Sequence, residues 1–115
     1  MVYPEEVPTA SVRELPSDGY LLLDVRENDE WRAGHAPDAV HIPLRDLPIR
    51  IDELADEGID QTVYVVCRTG GRSAQATAYL NAHGYEAVNI AGGMKSWHTE
   101  GKPMIADSDT DPEVL

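Results

Sequence analysis

Apolar residues in this chain fall into short solid runs separated by stretches of helical spacing, the pattern of strands alternating with helices. Tyr20-Leu21-Leu22-Leu23-Asp24-Val25 is apolar except for one charge near its end, as expected of a strand buried on both faces. Thr62-Val63-Tyr64-Val65-Val66-Cys67 is the clearest strand, rich in β-branched residues. Briefer strands are expected at Val40-His41-Ile42, closed by Pro43, and over Ala87 to Ile90. Ser11 followed three residues on by Glu14 resembles a capping box and predicts a short helix to about Leu15, before Pro16-Ser17-Asp18-Gly19 breaks it. Asn28 offers an N-cap for a helix over Asp29 to Ala33, stopped by Gly34. Leu47, Ile51 and Leu54 keep helical spacing, so Leu44 to Glu57 is expected to be mainly helix, with Pro48 tolerated near its start and Gly58 as its stop. A helix over Arg72 to His83 should end at Gly84, with Ala74, Ala78 and Ala82 as a stripe of small residues lying on the sheet. Gly92-Gly93 turns the chain into a last helix around Met94 to Glu100.

This alternation predicts an α/β domain with a mostly parallel central sheet and helices on both faces. With 115 residues there is room for one core and one domain. The expected organisation is an N-terminal extension over 1–6, the domain over 7–104, and a tail over 105–115. That tail, with Asp107-Ser108-Asp109-Thr110-Asp111-Pro112-Glu113, is acidic, poor in apolar residues and expected to be disordered.

Composition removes several function classes. The net charge of −12, from 21 acidic and 9 basic residues, repels phosphate backbones and anionic lipid, so neither nucleic acid nor membrane is an expected partner. No apolar run approaches the ~20 residues that span a bilayer. Met1-Val2-Tyr3-Pro4-Glu5-Glu6 has neither the basic start nor the apolar core of a secretory leader, so a cytoplasmic location is expected. One cysteine excludes an internal disulfide, and the four histidines, His35, His41, His83 and His98, lack the close pairing of a zinc motif; no metal is expected.

The chemistry concentrates in Val63-Tyr64-Val65-Val66-Cys67-Arg68-Thr69-Gly70-Gly71-Arg72-Ser73. An apolar strand delivers Cys67 to the carboxyl edge of the sheet, where open α/β sheets place their ligands. Gly70 and Gly71 permit a tightly curled loop whose N–H groups converge on one point ahead of a helix. A sulfur there should ionise readily, since helix N-termini and nearby arginines bring a thiol from ~8.5 to roughly 3.5–7.5. Arg68 and Arg72 are expected to supply that positive charge. The plainer reading is that Cys67 is a small buried hydrophobe at a strand end. A thiol sealed from solvent or protonated through neutral pH would favour it.

Four ordered blocks make the chain resemble single-domain rhodaneses from about Val7 to Pro103. They are Leu23-Asp24-Val25-Arg26-Glu27, Glu30-Trp31-Arg32-Ala33-Gly34-His35-Ala36-Pro37-Asp38-Ala39-Val40-His41-Ile42-Pro43, Cys67 to Ser73, and Ala91-Gly92-Gly93-Met94-Lys95-Ser96-Trp97. Ala36, Asp38 and His41 depart from the usual Ile, Gly and Asn. The resemblance implies a rhodanese-like three-layer fold and sulfur transfer without a cofactor. It also implies that the six-residue loop Cys67 to Arg72 is that of a sulfurtransferase, whereas related phosphatases and arsenate reductases use a loop one residue longer.

Cys67 is then the nucleophile, taking sulfur from a donor such as thiosulfate and passing it as a persulfide to a thiol or cyanide. Arg68, Thr69, Gly70, Gly71, Arg72 and Ser73 would bind substrate. Asp24, Arg26, Glu30 and His35 would support the site: Asp24 and Arg26 as ion-pair struts, Asp24 with the further option of orienting a loop arginine, Glu30 as a helix-face or supporting charge, and His35 as a fold support rather than a proton donor. Trp31 and Trp97 are expected in packing, Trp97 with the further option of walling the pocket. The expected partners are a small sulfur donor and a thiol acceptor, with a sulfur-relay protein as a further one. The alternative is a protein-to-protein sulfur carrier with little activity on small donors.

Overall fold

The computed structural model describes residues 7–55 and 60–115. Five parallel strands form one sheet: β1 (Thr9–Ala10), β2 (Tyr20–Asp24), β3 (Val40–His41), β4 (Thr62–Val66) and β5 (Ala87–Ile90), in the spatial order β1-β5-β4-β2-β3. Helices α1 (Asn28–Ala33), α2 (Leu47–Arg50), α3 (Gly71–Ala82) and α4 (Gly93–Thr99) link or follow the strands.

Side-chain parity divides the core. Leu21, Leu23, Val25, Val63, Val65 and Cys67 point to one face, where Leu47 and Leu54 from the α2 region and Ala76 and Leu80 of α3 close over them. Leu22, Val66 and Ile90 point to the other, under Val12, Ala36, Met94 and Trp97. Alternate residues of a strand face opposite sides, so a run apolar at both parities must be covered twice. That is the three-layer α/β architecture expected.

Local differences have physical causes. Val12–Glu14 is a single 3-10 turn, with Glu14 Oε1 accepting the Ser11 N–H at 2.8 Å as the capping box requires. Glu27 rather than Asn28 caps α1, and the Glu27 N–H donates to Glu30 Oε1 at 3.0 Å. The segment expected as one helix from Leu44 divides into a 3-10 turn (Leu44–Asp46), α2, and a second 3-10 turn (Ile51–Leu54). Pro48 in its first turn and the β-branched Ile49 and Ile51 weaken regular α winding there. Its expected end at Glu57 and Gly58 lies outside the described residues.

The small-residue stripe of α3 is displaced. Its buried side is Ser73, Ala74, Ala76, Thr77 and Leu80, while Ala78 is half-buried and Ala82 exposed. Leu80 is the helix's large aliphatic residue and sets the phase, since alanine gains too little from burial to do so. The tail also departs from expectation. Ile105 exchanges both backbone hydrogen bonds with His35, Asp107 N–H donates to Arg32 O at 3.1 Å, and Glu113 N–H donates to Ala33 O at 2.9 Å. Val114 of the tail packs on the Trp97 side of the core, beside Met104 of the domain.

Candidate active site

Strand order places the cysteine at a divergence in the chain. After β2 the chain leaves through α1 toward β3 at one edge, and after β4 it leaves through α3 toward β5 on the other side. The carboxyl ends of β2 and β4 therefore flank a crevice, the place where open α/β sheets hold ligands. Cys67 follows the last residue of β4.

Two helix starts shape the loop around it. The N-terminus of α4 faces outward carbonyls: Met94 N–H donates to Cys67 O at 2.8 Å and Lys95 N–H to Arg68 O at 3.1 Å. With those carbonyls turned away, amide hydrogens of the following residues turn in toward the sulfur. Gly70 N–H donates to Sγ at 3.1 Å, and the Ser73 hydroxyl lies 3.3 Å from Sγ. The turn needs glycine at two points. Gly70 has φ +128°, and Gly93, at φ +55°, packs so closely that a methyl group would stand 2.6 Å from the Arg68 carbonyl.

Burial pushes the thiol up, but hydrogen bonds from the Ser73 hydroxyl and from the amides of Ser73, Gly70 and Thr69 outweigh it. The thiol is held below its ordinary value. The residue itself is only 1% exposed, the sealing that the plainer reading of Cys67 as a buried hydrophobe expects; against that reading, its sulfur is hydrogen-bonded at the floor of the loop, with Thr69 and Gly71 exposed above it. Beside the loop is a cleft of about 430 Å³ lined by Thr9, Thr69, Gly70, Gly71, Asn89 and Gly92, among others.

The arginines are engaged elsewhere. Arg72 forms a two-pronged pair with Glu30, at 2.6 and 2.9 Å, which draws the Glu30 carboxyl down to about 2 against its partial burial and holds Arg72 above its usual value. The Arg72 guanidinium also feels the sulfur's charge, less strongly than that of Glu30. Arg68 Nε donates to Leu115 O at 2.6 Å. Dipoles more than arginine charges thus dominate at the sulfur, contrary to the sequence expectation.

Asp24 does not orient a loop arginine. Its carboxylate takes Nε and Nη2 of Arg26, and both side chains are fully buried. Arg26 Nη2 also donates to Gly34 O at 2.8 Å, tying the end of β2 to the end of α1. Glu30 does the orienting instead. His35 is buried, donates from Nδ1 to Trp31 O at 2.7 Å and stacks on the Trp31 ring at 3.6 Å, with Asp107 facing its other nitrogen. Its side-chain hydrogen bond goes to α1, not to the loop. Trp97 lines a different cleft, of about 400 Å³, with Tyr20, Asp18 and Asp38 at the amino end of the sheet. Among the described residues no cluster of His, Cys, Asp and Glu could hold a metal ion.

One residue of the site escapes a reading by motif. Asn89, largely buried in β5, accepts a hydrogen bond from the Ser73 hydroxyl at 2.5 Å, and its Nδ2 faces Gly70 O at 3.4 Å. A lone polar residue within the apolar run Ala87-Val88-Asn89-Ile90, on a strand paired with β4, was the available signal.

Comparison with known proteins assigns the chain to a family. Residues 9–100 match the Rhodanese-like domain family. The chain is 37% identical over 107 residues to a sulfurtransferase of Allochromatium vinosum, covering 92% of this chain and 97% of that protein. It is 30% identical over 96 residues to the thiosulfate sulfurtransferase GlpE of Pseudomonas syringae pv. syringae, covering 83% and 88%. A rhodanese-related protein from Thermoplasma volcanium superposes with a TM-score of 0.78 at 31% identity, over 85% of this chain and 97% of that one. With a family model matched over most of its length and a relative 37% identical end to end, the chain belongs to the rhodanese-like sulfurtransferase family.

Proposed function

We propose that the protein moves sulfane sulfur as a persulfide on Cys67, from a donor such as thiosulfate to a thiol or cyanide acceptor. The observation that carries this reading is the sulfur at the floor of a ring of donors, with its thiol held low. In the first step the Cys67 thiolate attacks the outer sulfur of thiosulfate. The S–S bond of the donor breaks and its electron pair leaves with sulfite. In the second, the acceptor attacks the outer sulfur of the persulfide, and the electron pair of that S–S bond returns to Cys67 as thiolate. The amides of Thr69, Gly70 and Ser73 hold negative charge at both stages without moving. Arg68 and Arg72 assist the anionic donor and its leaving group at the rim, while Asp24, Arg26, Glu30 and His35 hold the surrounding frame. A cytoplasmic setting, where a lone thiol stays reduced, goes with this reading.

Because Cys67 is covered, donor sulfur has to enter through the glycine-containing loop. Mixing the protein with thiosulfate and cyanide should yield thiocyanate, and thiosulfate alone should add the mass of one sulfur; Cys67→Ser should do neither. Equal turnover in that variant, or a folded-state thiol inert to both thiosulfate and a small alkylating reagent, would overturn the reading.

A second reading, protein-to-protein sulfur carriage, is favoured by the engagement of both loop arginines within the protein and by the charge of −12, which opposes a dianionic donor. Sulfur uptake from a desulfurase carrying a protein persulfide, without uptake from thiosulfate, would establish it.

A further inference from the structure

A serine hydroxyl has one proton to give. Ser73 Oγ lies 3.3 Å from Cys67 Sγ and 2.5 Å from Asn89 Oδ1, so two acceptors stand against a single donor. Asn89 has little freedom to resolve the conflict by turning its amide over, because Nδ2 faces the Gly70 carbonyl. The flip would set carbonyl oxygen against carbonyl oxygen. We propose that Asn89 is a positioning residue that competes with the Cys67 sulfur for the Ser73 proton.

The proton inventory follows directly. With Cys67 as a thiol, S–H points to Ser73 Oγ and the hydroxyl proton passes on to Asn89 Oδ1, so every donor in the chain has an acceptor. When the sulfur gives up its proton to solvent base, the hydroxyl proton turns to the thiolate. Asn89 Oδ1 then loses its donor in a largely buried position, with Oγ lone pairs against it. Asn89 therefore favours the thiol, while the loop amides favour the thiolate. Its effect runs through Ser73 and needs no contact with the sulfur.

This inference rests on Cys67 as the reactive group, but it is tested by titration alone, without sulfur transfer, so its failure is distinguishable from failure of the proposed activity. Charged side chains on the surrounding elements are Asp24 and Arg26 (β2), Glu27 and Glu30 (α1), Arg45 and Asp46 (before α2), Arg68 and Arg72 (the loop and α3) and Lys95 (α4). None of them changes in the variants. Thiolate absorbance is followed against pH, with the pH dependence of alkylation as a second readout. Asn89→Ala should lower the midpoint by about one pH unit, a tenfold rise in the ionisation constant and the scale of one hydrogen bond. Asn89→Leu, of nearly the same size but with no acceptor, should lower it likewise, and serves if the alanine variant does not fold. In a Ser73→Ala background the midpoint should start higher, and Asn89→Ala should no longer move it. A midpoint unchanged or raised by Asn89→Ala or Asn89→Leu in folded protein, or an equal response without the Ser73 hydroxyl, would overturn the inference.

Discussion

Facing α1, the Cys67 loop meets full charges: Arg72 gripped by Glu30, with the sealed Asp24–Arg26 pair behind. Facing β5, it meets a hydroxyl and a carboxamide, with the N-terminus of α4 turning the loop's own peptides. The neutral flank acts more strongly on the sulfur. Hydrogen bonds from Ser73 and the loop amides are the influences that hold the thiol down against burial. The charged flank spends most of its charge on itself, and its part is to fix α1 against α3. Net charge near a reactive group is thus a poor guide to its ionisation when the charges already have partners, whereas a short hydrogen bond to the group itself acts directly.

The comparison breaks most readily at Gly93. Alanine there would hold a positive φ and press against the Arg68 carbonyl, and the expected loss is about 3 kcal/mol from backbone strain and overpacking. It should be read as a lower urea midpoint with an unchanged m value. A variant as stable as the parent would show that the α4 footing is not needed to shape the loop.

A middle-sized effect is expected on the charged flank. The Glu30 carboxyl is held at about 2, below an ordinary 4.5, chiefly by the Arg72 hydrogen bond. A folded-state value below the unfolded one means that this stabilisation is present above pH ~4.5 and is lost as pH falls from there toward 2. With the Arg72 side chain 35% exposed, solvent screening leaves on the order of 1–2 kcal/mol. Glu30→Gln should cost about that much at neutral pH and flatten the acid limb of the stability curve. Parallel acid limbs in parent and variant would leave the pair without energetic weight.

The smallest change is expected at Arg68. Replacing it with alanine should move the Cys67 titration midpoint by less than about half a pH unit, since a well-placed opposite charge would shift it by 1–3. A shift of a full unit would restore arginine charge to the leading place at the sulfur.

Sequence made the strands and the loop legible because their information is contiguous. An apolar run at both parities has to be a central strand, and Cys67 to Ser73 carries its own turn residues. What was hidden was relational. Glu30 and Arg72 are 42 positions apart, and no spacing rule says that Glu30 rather than Asp24 takes the arginine. Asp24 was drawn instead to Arg26, two residues on, because a charge buried at the end of β2 requires the nearest partner. Three alanines in register look like a face of α3, but Leu80 and the hydrogen-bonded Ser73 and Thr77 decide its phase. Asn89, one amide in a strand, carries no motif. The tail's attachment rests on backbone hydrogen bonds, to which composition is blind.

The sealed Asp24–Arg26 pair restricts how this chain could change over generations. A single step away from either residue strands the other as a lone interior charge, so any route to a different pair runs through a poorly folding intermediate. These two positions should drift together or stay put. The solvent-facing Arg13–Glu100 pair is free to be lost one side at a time.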